Sequence, residues 1–184
     1  MATQPIAGSL VSVQEYLSTC YEPDCEYDDG LIVERNVGEF DHSFLQSVLV
    51  TLFMNSEEAW GVFGLTAQRM RIARRKFRIP DVCILRLDAP AEDILAHPPL
   101  IAIEILSPED RFPRITAKAI ECREFGIEHV WVVDPRQRKV FRGTEDGLAE
   151  IEGGLLKVEG TPIRVQAAEI FAKLDRARAR GRRA

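Results

Sequence analysis

The order of elements in the sequence predicts an α/β (α+β) protein whose core is a mixed β-sheet flanked by helices. Residues 100–106 form a nearly continuous apolar segment, which is typical of a strand covered on both faces. A helical apolar stripe follows this segment, and residues 130–133 form a second buried strand. The order strand, helix, strand favours a mixed sheet with helices packed against it. We also expect additional N-terminal and C-terminal β-hairpins.

Length and composition indicate one globular domain. The chain has 184 residues, and its content of 46% hydrophobic and 29% charged residues excludes a wholly disordered, collagen-like or coiled-coil protein. The sequence has no apolar run near the ~18 residues of a membrane span and no secretion signal at its start, so we expect a cytoplasmic protein. We place the domain at residues 1–175 and a mobile Arg-rich tail at residues 176–184.

The first elements follow from local signals. Ser12 and Glu15 fit a capping box and predict a short helix. Segments 25–28 and 31–34 flank Asp29-Gly30, a dipeptide that suits a two-residue hairpin turn. We interpret Asp41 as the N-cap of a long helix, because the apolar residues after it recur at helical spacing: Leu45, Val48, Leu49, Leu52 and Phe53.

The remaining elements complete the sheet. Segments 62–72 and 79–87 are predicted to be strands that precede the buried strand at 100–106. Pro113 suits the first turn of the next helix, and Gly126 suits its left-handed end. After the strand at 130–133, we expect a hairpin partner at 139–142, short further strands, and a last helix over residues 166–174.

Charge is distributed unevenly along the chain. The net charge is −5, but residues 1–175 carry 19 basic and 29 acidic residues, or −10. This acidic body argues against a protein that coats nucleic acid by bulk attraction. Residues 68–78 nevertheless contain six basic residues, and the candidates for phosphate contacts are Arg69, Arg71, Arg74 and Arg75. A solvated hairpin end explains this cluster equally well.

Two acids stand in apolar segments. Glu104 lies in the middle of a buried strand, where a carboxylate is costly unless it is protonated, paired or bound to a cation. Asp81 stands in the segment 79–85, again an acid in an otherwise apolar strand. If the two strands are neighbours, both acids can offer hard oxygen ligands to Mg²⁺ or Mn²⁺. The alternative is that Asp81 caps a turn and Glu104 pairs with a core arginine.

Lys118 lies on the inward-facing stripe of a predicted helix. It is three residues after Ile115 and four before Cys122, so the helix directs its ammonium group towards the sheet. Such a lysine can pair with the two acids or orient and polarise an attacking water. The alternative is that its stem covers apolar surface while its head reaches solvent.

Several motifs then occur in a recognisable order: Asp28-Asp29-Gly30, His42, Pro80-Asp81-Val82, Glu104-Ile105-Leu106-Ser107-Pro108, Lys118, and the run 126–135 that contains Trp131-Val132-Val133-Asp134-Pro135. In this combination, from about residue 12 to residue 174, the sequence resembles the Uma-type restriction endonuclease family of the PD-(D/E)XK nuclease superfamily.

The resemblance implies a restriction-endonuclease-like sheet and a divalent metal, Mg²⁺ or Mn²⁺. It implies metal binding by Asp81, Glu104 and the carbonyl of Ile105, and often a homodimer. The wider superfamily has its lysine two residues after the second acid, where this chain has Leu106. As in relatives whose lysine has moved to the next helix, Lys118 is expected to supply that charge. We expect DNA as the substrate, no organic cofactor and no membrane partner.

Three further residues are auxiliary candidates. The superfamily often has another acid on its first helix, which makes Glu39 a candidate by position together with Asp41, although capping explains Asp41 better. His42 can hydrogen-bond a phosphate or an active-site acid, or be structural. Gln68 can orient a water or contact the metal shell.

Together these observations predict a metal-dependent endonuclease that hydrolyses DNA. Asp81 and Glu104 are expected to hold the metal, and Lys118 to assist the attack of water. Two alternatives stay open. One is a nuclease-fold module that binds nucleic acid or protein without turnover, and the other is a structural network of buried ion pairs.

Overall fold

The computed structural model describes residues 10–35 and 39–181. In these ranges the helices are α1 (Val13–Ser18), α2 (Phe40–Asn55), α3 (Glu57–Trp60), α4 (Phe112–Glu124) and α5 (Ala167–Gly181). The strands are β1 (Cys25–Asp28), β2 (Leu31–Glu34), β3 (Val62–Thr66), β4 (Met70–Ala73), β5 (Lys76–Arg78), β6 (Val82–Arg86), β7 (Ile101–Ile105), β8 (His129–Asp134), β9 (Lys139–Thr144), β10 (Gly147–Glu150), β11 (Leu155–Lys157) and β12 (Arg164–Gln166).

A six-stranded mixed sheet forms the core, with the strand order β10-β9-β8-β7-β6-β3. Strands β7 and β8 run parallel and are joined by α4, whereas the other neighbours in this sheet pair antiparallel. The expected mixed sheet flanked by helices is therefore confirmed. A four-stranded sheet, β2-β1-β5-β4, contains the N-terminal hairpin, and β11 and β12 pair near the C-terminal end.

The two faces of the six-stranded sheet are packed against different helices. Because alternate residues of a strand point to opposite faces, Ile84 and Ile103 join the cluster that contains residues of α2 and α5. Cys83 and Ala102 point the other way and pack with Ala119 of α4. Glu104, two residues after Ala102, is on the α4 face.

The tight turn of the first hairpin has the predicted chemistry. Asp29 has φ 45° and Gly30 has φ 101°, which are the positive values that a two-residue hairpin turn requires. Gly30 also lies against Leu10, whose side chain would be 2.8 Å from a Cβ at that position. Glycine is therefore required here for both backbone and space.

Segment 62–72 was expected to be one strand but divides into β3 and β4, which belong to different sheets. The break is at Ala67, whose φ of 49° turns the chain out of the first sheet. The next predicted strand, 79–87, is shorter than expected, because β5 ends at Arg78, before that segment, and the chain turns before β6 begins at Val82. These turns connect the two sheets beside Asp81.

Two expectations about the helices were wrong. Asp41 is not the N-cap of α2, because the helix begins at Phe40 and Glu39 occupies the cap position. Asp41 instead accepts a 2.6 Å hydrogen bond from Nε of Arg178. The last helix does not end at residue 174 but extends through residues 176–181 of the Arg-rich tail. Residues 182–184 lie outside the described part of the chain, in which no helix is long and apolar enough to span a membrane.

Candidate active site

Asp81, Glu104 and Lys118 lie close together beside the six-stranded sheet. The positions of their strands and helix bring them there. Asp81 directly precedes β6, and Glu104 is the fourth residue of the adjacent strand β7. Lys118 is on α4, which covers this face of the sheet. All three side chains line one cavity of about 50 Å³, here called the central cavity, together with Glu26, His42 and Ile105.

Asp81 is held by contacts to both of its carboxylate oxygens. Arg35 donates a 2.7 Å hydrogen bond to Oδ1, and Nε2 of His42 lies 3.0 Å from Oδ2. The backbone N–H of Ile105 donates to Oδ2 at 2.8 Å. His42, expected as an auxiliary residue, therefore lies in the site. Arg35 was missed by the sequence analysis.

Lys118 lies between two acids rather than beside one. Its Nζ is 2.8 Å from Oε1 of Glu104 and 2.6 Å from Oε1 of Glu26. Glu26, also missed, comes from β1 of the other sheet. A signal for it exists in the sequence, because Glu26 is an acid between the apolar residues Cys25 and Tyr27, as Glu104 is an acid between Ile103 and Ile105.

Burial and neighbouring charges give the two candidate metal-binding acids different protonation behaviour. Burial raises the pKa of Glu104 from 4.5 to about 7, although the ammonium group of Lys118 opposes this shift. Burial acts on Asp81 in the same direction, but the contact with His42 and the charges of Lys118 and Arg35 outweigh it and lower the pKa of Asp81. Asp81 is therefore ionised at neutral pH, whereas Glu104 is present in both its protonated and its ionised form.

Lys118 is charged despite its burial. Desolvation opposes the ammonium form, but Glu104, Glu26 and Asp81 together raise the pKa of Lys118 above its ordinary value. The group is consequently a fixed positive charge and a hydrogen-bond donor, not a base.

The comparisons with known proteins agree with this architecture. The family model described as "Uma2: Putative restriction endonuclease" matches residues 13–168, which is most of the chain. The chain belongs to the Uma2 family. This membership confirms the resemblance inferred from the motifs, and it supports a nuclease that acts on nucleic acid. No curated protein matches the chain.

A solved structure shares the fold of this Uma2 protein. It is the crystal structure of "a putative nuclease belonging to DUF820 from Anabaena variabilis ATCC 29413", with a TM-score of 0.76 and 21% sequence identity. The match covers 89% of this chain and 99% of that chain. Likeness at this identity establishes the common fold.

The residues of this Uma2 chain suit a magnesium-type cation by the chemistry of their donors. Across residues 10–35 and 39–181, no group of three or more His, Cys, Asp or Glu side chains is arranged to hold a metal ion. Mg²⁺, however, is usually bound through one or two carboxylates and keeps several waters. Oε1 of Glu104 is buried, and within the described ranges its one close partner is the ammonium group of Lys118, at 2.8 Å. A carboxylate oxygen that faces one cation and no other donor also fits a divalent cation.

Two auxiliary candidates are not brought to the central cavity. Nε2 of Gln68 donates a 2.9 Å hydrogen bond to the carbonyl of Asp93 and so supports a surface loop. Glu39 is exposed at the start of α2. Neither residue is among those that line the central cavity.

Three of the four candidate arginines share a second surface. Arg71, Arg74 and Arg75 line an open cavity of about 610 Å³ beside residues 10–13, here called the basic groove. Arg69 is separate, because its guanidinium group lies 4.9 Å from the ring centre of Tyr16. The described lining of the basic groove contains no acid, but Nε of Arg75 lies 2.7 Å from Oδ1 of the exposed Asp29 at its edge.

Proposed function

We propose that this protein is a metal-dependent endonuclease that hydrolyses phosphodiester bonds of DNA. The observation that carries the proposal is the meeting of Asp81, Glu104 and Lys118 in one cavity, although they come from separate parts of the chain. Membership of the Uma2 family supports the same class of reaction.

In this proposal Asp81 and Glu104 hold a divalent cation, Mg²⁺ or Mn²⁺, with the carbonyl of Ile105 as a further candidate ligand. A cation bound there supplies positive charge next to a phosphate oxygen and lowers the pKa of a bound water. Arg35 and His42 orient the Asp81 carboxylate through the contacts already described.

Lys118 orients the attacking water and stabilises negative charge that develops on the phosphate. A lysine with a raised pKa keeps its proton at neutral pH, so it donates hydrogen bonds and does not accept the proton of the water. A fixed charge that is already in place before the reaction stabilises the transition state without reorganisation.

The basic groove supplies the contacts that hold DNA. Arg71, Arg74 and Arg75 bind phosphates flanking the cleaved bond, and such contacts position the duplex without reading its sequence. Arg75 precedes Ile79 by four residues of extended chain, so about 13 Å of chain separates the groove from the central cavity. We propose that a single DNA segment contacts both places.

Nicking of supercoiled plasmid DNA by the pure protein with Mg²⁺ tests this function. Asp81→Asn, Glu104→Gln and Lys118→Gln are each expected to lower the nicking rate by about 100-fold or more, because each removes a group that acts on the reacting phosphate or water.

The matched control is Lys139→Gln. This change removes an ammonium group from the exposed pair between Lys139 and Glu150, neither of which lines the central cavity, so the nicking rate should stay at the wild-type value. Equal rates in the wild type and all three site variants would reject the assignment of roles.

A nuclease-fold module that binds nucleic acid without cleaving it is a second candidate, and the contacts of Asp81 favour it. Arg35 already binds one oxygen of Asp81, so a cation has to displace its guanidinium group or share that oxygen. Calorimetry distinguishes the two functions. Mn²⁺ binding no stronger than in Glu104→Gln, together with intact DNA affinity, would favour the module.

A further inference from the structure

Lys118 forms ion pairs with one acid from each of the two larger sheets. Its Nζ contacts Glu104 of the six-stranded sheet at 2.8 Å and Glu26 of the four-stranded sheet at 2.6 Å. Both acids are buried, with side-chain exposures of 10% and 5% respectively. One ammonium group therefore serves two carboxylates.

The two carboxylates differ in how firmly they are held. The backbone N–H of Ile79 donates a 3.0 Å hydrogen bond to Oε1 of Glu26, which is the same oxygen that contacts Lys118. In contrast, Oε1 of Glu104 has no donor other than Lys118 in the described part of the chain. Glu26 is thus a fixed anchor for the ammonium group, and Glu104 is an exchangeable one.

The nearest arginine is a weaker partner for Glu26 than Lys118 is. Arg78 lies 3.9 Å from Oε2 of Glu26 but makes 2.7 Å contacts with Asp28 and Glu121. Its guanidinium group is therefore mainly committed to these two acids. The negative charge of Glu26 remains directed at Lys118.

We propose that Glu26 is a positioning residue, which holds the ammonium group of Lys118 and so leaves Glu104 able to bind the catalytic cation. This inference rests on the proposed function. Without Glu26, Lys118 has Glu104 as its remaining close partner. A divalent cation that approaches Glu104 then has to compete with the ammonium group of Lys118, which no longer shares its charge with a second carboxylate.

Calorimetry with Mn²⁺ alone tests the role of Glu26. Glu26→Gln is expected to weaken Mn²⁺ binding by about tenfold, as is typical when a residue that orients a metal site is changed. Glu26→Asp keeps the charge but shortens the side chain, so it should weaken binding similarly if position matters. Glu159→Gln removes an exposed acid that pairs with Lys157 and does not line the central cavity, so it should bind Mn²⁺ as the wild type does.

A double-mutant cycle separates action through Lys118 from a direct effect of charge. In a Lys118→Gln background, Glu26→Gln is expected to leave the Mn²⁺ affinity unchanged, because the group that Glu26 positions is gone. An equal loss in both backgrounds would overturn the proposal, as would wild-type affinity in Glu26→Asp. Thermal unfolding identifies any variant that does not fold. If Glu26→Gln does not fold, the Mn²⁺ affinity of Glu26→Asp relative to the wild type tests the proposal.

Kinetics give a second readout. Glu26 lies deep in the central cavity at 4% exposure, so Glu26→Gln should lower kcat for plasmid nicking at limiting Mn²⁺ while KM for DNA stays unchanged. A wild type that neither binds Mn²⁺ nor nicks DNA would overturn the proposed function and this inference with it. A wild type that does both, with Glu26→Gln indistinguishable from it, would overturn the inference alone.

Discussion

At the scale of single residues, the partners of a buried carboxyl group decide its charge. Asp81 is ionised because Arg35, His42 and a backbone N–H all contact its oxygens. Glu104 is equally buried, but it shares its one close cation, Lys118, with Glu26. Its ionised form is therefore incompletely compensated, which is the condition under which an added cation is bound favourably.

Glu104 should make the metal-free protein less stable as the pH rises. Its pKa is raised from 4.5 to about 7 on folding, so between these values the folded state keeps a proton that the unfolded state has released. Stability is lost across this window with increasing pH. Glu104→Gln removes this loss. As the pH rises through this window, the free energy of unfolding of Glu104→Gln should therefore rise relative to that of the wild type.

Urea unfolding at about pH 5 and about pH 7.5 measures this difference. The exposed Glu58 on α3 provides a matched control, since Glu58→Gln should follow the wild type at both pH values. A difference between Glu104→Gln and the wild type that is the same at both pH values would contradict the prediction.

At the scale of elements, the crossover from β7 through α4 to β8 builds the site. Parallel pairing of β7 and β8 requires a connection across one face of the sheet, and α4 supplies it. Ala119 and Cys122 pack this helix onto the sheet, and Lys118 lies beside them. The packing that buries α4 therefore also presents the ammonium group to Glu104.

Helix α5 should depend on its apolar face and not on its exposed ion pair. Leu174 is fully buried in the main core, so Leu174→Ala is expected to cost about 3 kcal/mol of unfolding free energy. Arg178 contacts Asp41 from an exposed position, so Arg178→Ala should leave that free energy nearly unchanged. Chemical denaturation measures both variants, and a larger loss in Arg178→Ala than in Leu174→Ala would refute this ranking.

At the scale of the whole molecule, an acidic body presents a local basic surface. Residues 1–175 have a net charge of −10, whereas the described lining of the basic groove has three arginines, of which Arg75 is paired with Asp29, and no acid. The body repels DNA at long range, so binding should be confined to the groove and should depend on salt.

Removal of two groove charges should reduce both the DNA affinity and its salt dependence. In Arg74→Gln/Arg75→Gln, the slope of log affinity against log salt concentration is expected to fall in magnitude by about one to two, because fewer counterions are released. Fluorescence anisotropy with labelled duplex DNA measures the slope. The control Arg142→Gln/Arg164→Gln removes two exposed charges outside the basic groove, and a similar change of slope in it would contradict the assignment.

The sequence by itself determined the features that depend on local pattern. Glu104 and Lys118 were recognisable because each introduces a charge at a position whose spacing directs it to the interior. The turn at Asp29-Gly30 and the cap at Ser12 depend on contacts within a few residues, and both are present. The order of apolar segments likewise predicted the mixed sheet, although not the division of segment 62–72 between two sheets.

Only the tertiary structure decided which charges meet. The backbone N–H of Ile79 donates a hydrogen bond to Glu26, which is 53 residues away in the sequence. The guanidinium group of Arg35 binds Asp81, which is 46 residues away. Local periodicity predicts that an acid is buried, but it does not specify its partner. The pairing of β1 with β5 places Glu26 near Ile79, and α4 brings Lys118 to the same point from the six-stranded sheet.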